Sequence, residues 1–207
     1  MSPEVPHISE HEPKHPRLIF TSHVDIVHPH VRWRKKEGNL VGSLDDMLPS
    51  AILVSVLPQL KGEPRWTEDE ETKMLDAKKL ARWIVRSYPQ PKGMYRHAKD
   101  RSWLPRVCVL EVSDIHLDCD VSFENFVFMD TKKIRQMMSQ PHLGDITYAI
   151  SGRGGGDETF RMAEEFIPSF SLALPIFGDM HTFKSYVPIE RIEKYKRVLL
   201  EVDKLYG

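Results

Sequence analysis

The chain has 207 residues, 41% of them hydrophobic and 29% charged, a globular composition that excludes collagen-like, coiled-coil and wholly disordered chains. Lys and Arg number 29 against 30 Asp and Glu, a formal charge of -1 at pH 7, so no whole-chain field recruits nucleic acid or an anionic membrane, and any such binding has to be local. Two cysteines, Cys108 and Cys119, cannot build a disulfide framework. The longest apolar run, residues 51–57, is too short to span a bilayer, so the expectation is an intracellular protein, cytoplasmic or nuclear, with no membrane span.

Residues 1–16 mix Pro, His and Glu with almost nothing apolar and predict a disordered tail; residues 17–207 are expected to form a single domain. Strand-like runs follow at 18–20, 24–27 and 31–33, with Pro29 limiting pairing around His28 and His30. His23, His28 and His30, like His7, His11 and His15 of the tail, lack the spacing of a structural zinc site and read as incidental. Gly38-Asn39 reads as a turn. A helix is predicted from about residue 43 to 60, with Ser43 as cap and Asp45 and Asp46 at its positive end. The next helix is predicted from Thr67, where Thr67 and Glu70 have the spacing of a capping box and Met74, Ala77, Ala81, Ile84 and Tyr88 recur at helical intervals.

Further along, strands are expected at 106–112, 123–129 and 146–150, and helices at 131–139 and 157–167. Pro188 opens a last helix whose Ile192, Tyr195, Leu199 and Val202 form one apolar stripe. Strands and helices neither alternate strictly nor segregate, which predicts an α+β fold, a mixed or antiparallel sheet with several packed helices. The terminal stripe is expected to dock on the core, or else to serve a homo-oligomer.

Three constellations carry chemistry. In residues 107–120 an apolar strand runs into Asp114, His116, Asp118 and Asp120, and period-two alternation places these polar groups on one face, an arrangement of carboxylates and imidazole that suits a divalent metal. Residues 151–157, SGRGGGD, join a strand to a helix, so Ser151, Arg153, Gly154 and Gly155 are candidate phosphate contacts. Cations interleave with aromatics in Arg32-Trp33-Arg34-Lys35-Lys36, and again in the loop carrying Lys92, Tyr95, Arg96, Lys99 and Arg101. That combination suits single-stranded nucleic acid or another acidic partner.

Ser113-Asp114-Ile115-His116-Leu117-Asp118, Gly144-Asp145-Ile146-Thr147 and Gly178-Asp179-Met180-His181 together resemble, in order and approximate spacing, the motifs of calcineurin-like metallophosphoesterases. The resemblance covers residues 107–181. It implies Asp114, His116 and Asp145 as metal ligands, with Asp145 bridging, manganese or another divalent ion as cofactor, and His181 as the acid that protonates the leaving oxygen. Asp179 stands where that family has Asn, and the later metal-binding histidines are missing, so the implied two-metal site is incomplete.

Two functions follow from these readings. The first is a non-enzymatic, cofactor-free binding protein, of the kind found among viral structural or accessory proteins, that meets RNA or an acidic protein through its basic aromatic segments. The alternative is a degenerate divalent-metal phosphoesterase.

Overall fold

The computed structural model describes residues 17–25, 32–70, 73–89, 103–152 and 158–207. The strand segments at 18–23, 106–113 and 169–175 are buried along nearly their whole length, as strands covered on both faces are. They become β1 (Leu18–His23), β5 (Arg106–Ser113) and β8 (Ser169–Pro175), and stand side by side in a six-stranded sheet of order β4-β1-β5-β8-β6-β7, with β4 (Glu63–Thr67), β6 (Val121–Val127) and β7 (Tyr148–Ile150) outside them. β4, β1, β5 and β8 run parallel; β6 is antiparallel to β8 and parallel to β7. A second, antiparallel sheet joins β2 (Trp33–Lys36), β3 (Asn39–Gly42) and β9 (Tyr186–Pro188). With five α-helices among the described residues against a mixed and an antiparallel sheet, the fold is α+β, as expected.

Alternation along the central strands sends Leu18, Phe20, Cys108 and Leu110 to one face and Ile19, Val107 and Val109 to the other. The first face packs against α1 (Met47–Val56), α3 (Lys132–Met138) and α5 (Ile189–Tyr206), through Leu48, Ile52, Leu53, Ile134, Met137 and the terminal stripe. The second is covered by α2 (Leu75–Ser87) and α4 (Thr159–Glu164), through Ala81, Ile84 and Met162. Ile192 is 8% exposed, and Tyr195, Leu199 and Val202 are fully buried, so the stripe belongs to the core and is not available to join copies of the chain. The Tyr195 hydroxyl donates to the Leu172 carbonyl at 2.8 Å, so the polar end of that side chain is satisfied inside the sheet.

The boundaries differ from expectation for local reasons. The helix of the second segment shortens to Met47–Val56, followed by a 3-10 turn at Leu57–Gln59 that Pro58 initiates. Thr67 caps nothing: it ends β4, and its hydroxyl donates to Glu158. α2 starts eight residues later, and its first-turn N–H groups at Leu75 and Asp76 donate to the two carboxylate oxygens of Asp69 at 3.1 Å each, the capping function that Thr67 was predicted to fill. The tail 1–16, and with it the domain boundary at residue 17, falls outside the described residues.

Candidate metal centre

β1 ends at His23, and its neighbour β4 leads into the loop carrying Asp69 and Glu70. The chain returns through the β2–β3 hairpin to Asp45 and Asp46, immediately before α1. These pieces meet outside the carboxyl ends of parallel strands, where open sheets of this kind leave room for a ligand.

One ligand atom from each of His23, Asp45 and Asp46 lies within 4.8 Å of the other two. Among the described residues this is the one group of three His, Cys, Asp or Glu side chains so placed. The imidazole is oriented from behind, its Nδ1 standing 3.1 Å from Oδ1 of Asp25. Nε2 then faces Oδ1 of Asp45 at 3.3 Å and Oε2 of Glu70 at 4.0 Å. A carboxylate behind an imidazole is the usual device for fixing which nitrogen meets a metal. Ser22, also on β1, donates its hydroxyl to Oδ2 of Asp46 at 2.5 Å and lies 2.8 Å from the hydroxyl of Ser50, which donates to the His23 carbonyl at 3.1 Å. β1 and α1 are thereby locked together around the cluster. Across it, Nδ1 of the exposed His181 lies 3.7 Å from Oδ2 of Asp45.

The electrostatics are those of an acidic pocket. Burial disfavours the charged form of His23, but the carboxylates of Asp46 and Asp45, with Glu158 behind them, outweigh it and hold the imidazole pKa up at about 11. Burial pushes the Asp46 carboxyl well above the usual range, while His23 and the Ser22 hydroxyl pull it back. Asp46 is fully buried, and its Oδ1 has no hydrogen-bond partner among the described residues. A buried carboxylate oxygen left unpaired is costly, and a divalent cation shared with His23 and Asp45 would satisfy it. One nitrogen and several carboxylate oxygens suit zinc, manganese or cobalt, so the residues present fit such an ion.

The residues predicted from sequence fall differently. Asp114 is exposed, just beyond the carboxyl end of β5, the strand beside β1. His116 follows in a left-handed backbone conformation at φ 54°. Asp145 is gripped by the two guanidinium nitrogens of Arg197 at 2.8 and 2.9 Å, which holds its carboxyl below the usual range. Asp114, His116 and Asp145 therefore do not form a ligand group, and the implied bridging carboxylate is engaged in an ion pair. Asp120, on the same predicted face, is held by Thr147 and Lys194 instead. His181 is the one predicted chemical residue that reaches the cluster. His23, Asp45 and Asp46 were missed as ligands; the usable signal was a His two residues before an Asp at a strand end, 22 residues ahead of an Asp-Asp pair that opens a helix.

Arg32, Trp33, Arg34, Lys35 and Lys36 are all exposed, the last four forming β2. Trp33 is anchored by its indole N–H, which donates to the Ser43 carbonyl at 2.6 Å. Lys92, Tyr95, Arg96, Lys99 and Arg101 lie outside the described residues, as do Arg153, Gly154 and Gly155. Ser151 follows β7, where its N–H donates to the Phe123 carbonyl at 2.9 Å.

No family model and no curated protein matches the sequence. Solved structures do match the fold. The chain is 16% identical to the TET1 peptidase of Pyrococcus horikoshii, which assembles into a tetrahedron or a large octahedral shell; the match covers 84% of this chain and 52% of that one, with a TM-score of 0.57. A TET aminopeptidase from a marine sediment thaumarchaeon matches at 13% identity, 84% and 51% coverage and a TM-score of 0.58. An M18-family aminopeptidase from Thermotoga maritima matches at 13% identity, 84% and 48% coverage and a TM-score of 0.53. The chain thus spans about half the length of the structures it resembles.

These findings overturn the reading as an RNA- or acidic-protein-binding viral protein. The similar structures named above are described as peptidases, and the described group that could hold an ion is carboxylate and histidine. The expectation of a cofactor-free protein falls with it, because His23, Asp45 and Asp46 are placed so that they could hold a metal ion. The phosphoesterase alternative finds no support among the matching folds. Among the described residues no helix is long and apolar enough to cross a membrane.

Proposed function

We propose that the chain carries a divalent-metal hydrolase site of the peptidase class. The observation that carries this reading is the buried group of His23, Asp45 and Asp46, with its unpaired Asp46 Oδ1, at the carboxyl end of β1. The fold it shares with aminopeptidases of low identity supports the class of reaction.

His23 Nε2, Asp45 and Asp46 would hold the ion. When bound, such an ion polarises a carbonyl and lowers the pKa of a coordinated water. The chain's own residues supply the rest. Asp25 keeps the imidazole turned with Nε2 toward the carboxylates. Ser22 and Ser50 fix Asp46 and the strand end. Glu70, with Oε2 4.0 Å from His23 Nε2, is the carboxylate placed to accept a proton from an attacking water and return it to the departing amine. His181, at the exposed edge opposite His23, is placed to donate a hydrogen bond to a carbonyl oxygen at the cluster.

Two similar structures are described as a dodecamer and as a tetrahedral or octahedral assembly. A homo-oligomer of this chain would have to use a surface other than the α5 stripe.

The test is hydrolysis of a panel of aminoacyl p-nitroanilides after dialysis against chelator and reloading with zinc, manganese or cobalt. Turnover that returns with metal, and falls at least 100-fold in Glu70→Gln and in Asp45→Asn, supports the reading. Absence of turnover with every metal and substrate, or turnover indifferent to both substitutions, counts against it.

A further inference from the structure

A cavity of about 570 Å³ is lined by Arg32, Trp33, Arg34, Val41, Gly42 and Phe183, on the chain segments that lead into this centre. Its two walls are the segments that carry the cluster's exposed edge. Gly42 precedes Asp45 by three residues, and Phe183 follows His181 by two. The walls are tied to each other: the Gly42 N–H donates to the Ser185 carbonyl at 3.0 Å, and the Ser185 hydroxyl donates to the Gly42 carbonyl. The hairpin is closed on its own side, where the Ser43 N–H donates to the Arg32 carbonyl at 3.2 Å and the Trp33 indole to the Ser43 carbonyl. A side chain on Gly42, with φ at 151°, would collide with the Arg32 carbonyl, so the glycine lets the two backbones approach this closely.

The cavity's chemistry is one-sided. Arg32 and Arg34 are exposed, and neither has an ion-pair partner among the described residues. Val41, Phe183 and the Trp33 ring give apolar walls around them. Paired guanidinium forks beside apolar surface are the usual receptor for a planar carboxylate at the end of a short organic chain. The volume holds one or two amino-acid residues, not a nucleic-acid strand.

We propose, resting on the peptidase reading above, that this cavity binds the carboxylate of a short peptide or N-acyl amino acid whose amide bond lies over the His23–Asp45–Asp46 group, with Arg32 and Arg34 as the carboxylate-binding residues. The carboxylate comes from the substrate's chain terminus or from an acidic side chain. Arg32 and Arg34 thus select substrate and take no part in bond cleavage.

Calorimetry on the manganese-loaded Glu70→Gln chain, which lacks the proposed base and so leaves the probes intact, separates these sources with three ligands. N-acetylalanine offers only a terminal carboxylate, N-acetyl-α-glutamamide only a side-chain carboxylate, and N-acetylalaninamide neither. At least one acid should bind 10-fold or more tighter than the amide, and which one does so names the source. The preference should vanish in Arg32→Gln/Arg34→Gln and weaken in Arg34→Gln alone, each checked for an unchanged thermal melt. It should persist in Asp45→Asn, which disables the metal group and leaves the cavity intact. Equal binding of acids and amide overturns the proposal, as does a preference that survives the double substitution. A preference lost in Asp45→Asn but kept in the arginine variants assigns the anion to the metal, which refutes the cavity while sparing the peptidase reading.

Discussion

His23 Nδ1 stands 3.1 Å from Oδ1 of Asp25, two residues along the same chain, so the imidazole that ends β1 has one nitrogen committed to a carboxylate and the other aimed at Asp45. The pair converts a strand terminus into a preset ligand. Replacing Asp25 by Asn keeps the size but removes the carboxylate that stands behind the ring, and metal affinity should fall about 10- to 100-fold. Competition with a chromogenic chelator measures this; unchanged affinity in Asp25→Asn and Asp25→Ala would show that the ring needs no such support.

Metal uptake should release protons. With its pKa held at about 11, His23 is protonated at neutral pH in the metal-free chain, and an ion taking Nε2 must displace that proton. Because the folded value lies above the free one, the proton is held more tightly below pH 11 than in a free imidazole. Apparent metal affinity should therefore rise with pH, about tenfold per unit for each proton displaced. Titration calorimetry in buffers of different ionisation enthalpy reads the count directly; at least one proton per ion is expected near pH 7, and none would contradict the arrangement.

Acid should erode a second, structural contact. Burial works against ionisation of Asp120, but the backbone N–H and hydroxyl of Thr147 and the Lys194 ammonium overcome it, and its pKa is lowered. A depressed carboxylate stabilises the fold above the unfolded value of about 3.9 and loses that contribution as pH falls through the folded one. Asp120→Asn should therefore melt lower than the parent at pH 7, with the gap closing below about pH 4. A gap that is constant with pH would mean the contact is not ionic.

The terminal helix is predicted to be indispensable. Leu199 is fully buried, and Leu199→Ala should cost about 2 to 5 kcal/mol. Tyr195→Phe, which removes only the bond to Leu172, should cost about 1 kcal/mol. Urea denaturation of both variants gives the comparison. A larger loss for Tyr195→Phe than for Leu199→Ala would reverse the assigned weights of packing and hydrogen bonding.

What was legible in the sequence was whatever rests on local pattern. The stripe Ile192, Tyr195, Leu199 and Val202 and the apolar run at 106–112 declare their elements by period alone, and both are found in place. β8 went unread although Phe170, Leu172 and Leu174 alternate with Ser169, Ser171 and Ala173, because the run is short and bounded by Pro168 and Pro175, which argue against a strand. Thr67 and Glu70 matched a capping box by spacing, yet tertiary structure set Thr67 against Glu158, 91 residues away, and turned Glu70 toward His23. The metal group was illegible for the same reason. His23 and the Asp45-Asp46 pair are brought together by the β1–α1 packing that Ser22 and Ser50 complete, whereas the denser run Asp114 to Asp120 drew attention by proximity in sequence, which is not proximity in space. His181 was found through motif order, although the partner it meets is Asp45.

The central claim is that His23, Asp45 and Asp46 hold one divalent ion, and cobalt binding followed by visible absorption tests it most directly, since the d–d bands report both stoichiometry and ligand field. The parent chain should take up one ion at this group with bands of a mixed nitrogen–oxygen site. His23→Ala and Asp45→Asn should lose that ion, while Asp145→Asn, placed in the Arg197 ion pair, should keep it. A parent chain that binds no cobalt, or a spectrum unchanged in His23→Ala and Asp45→Asn but lost in Asp145→Asn, would contradict the account.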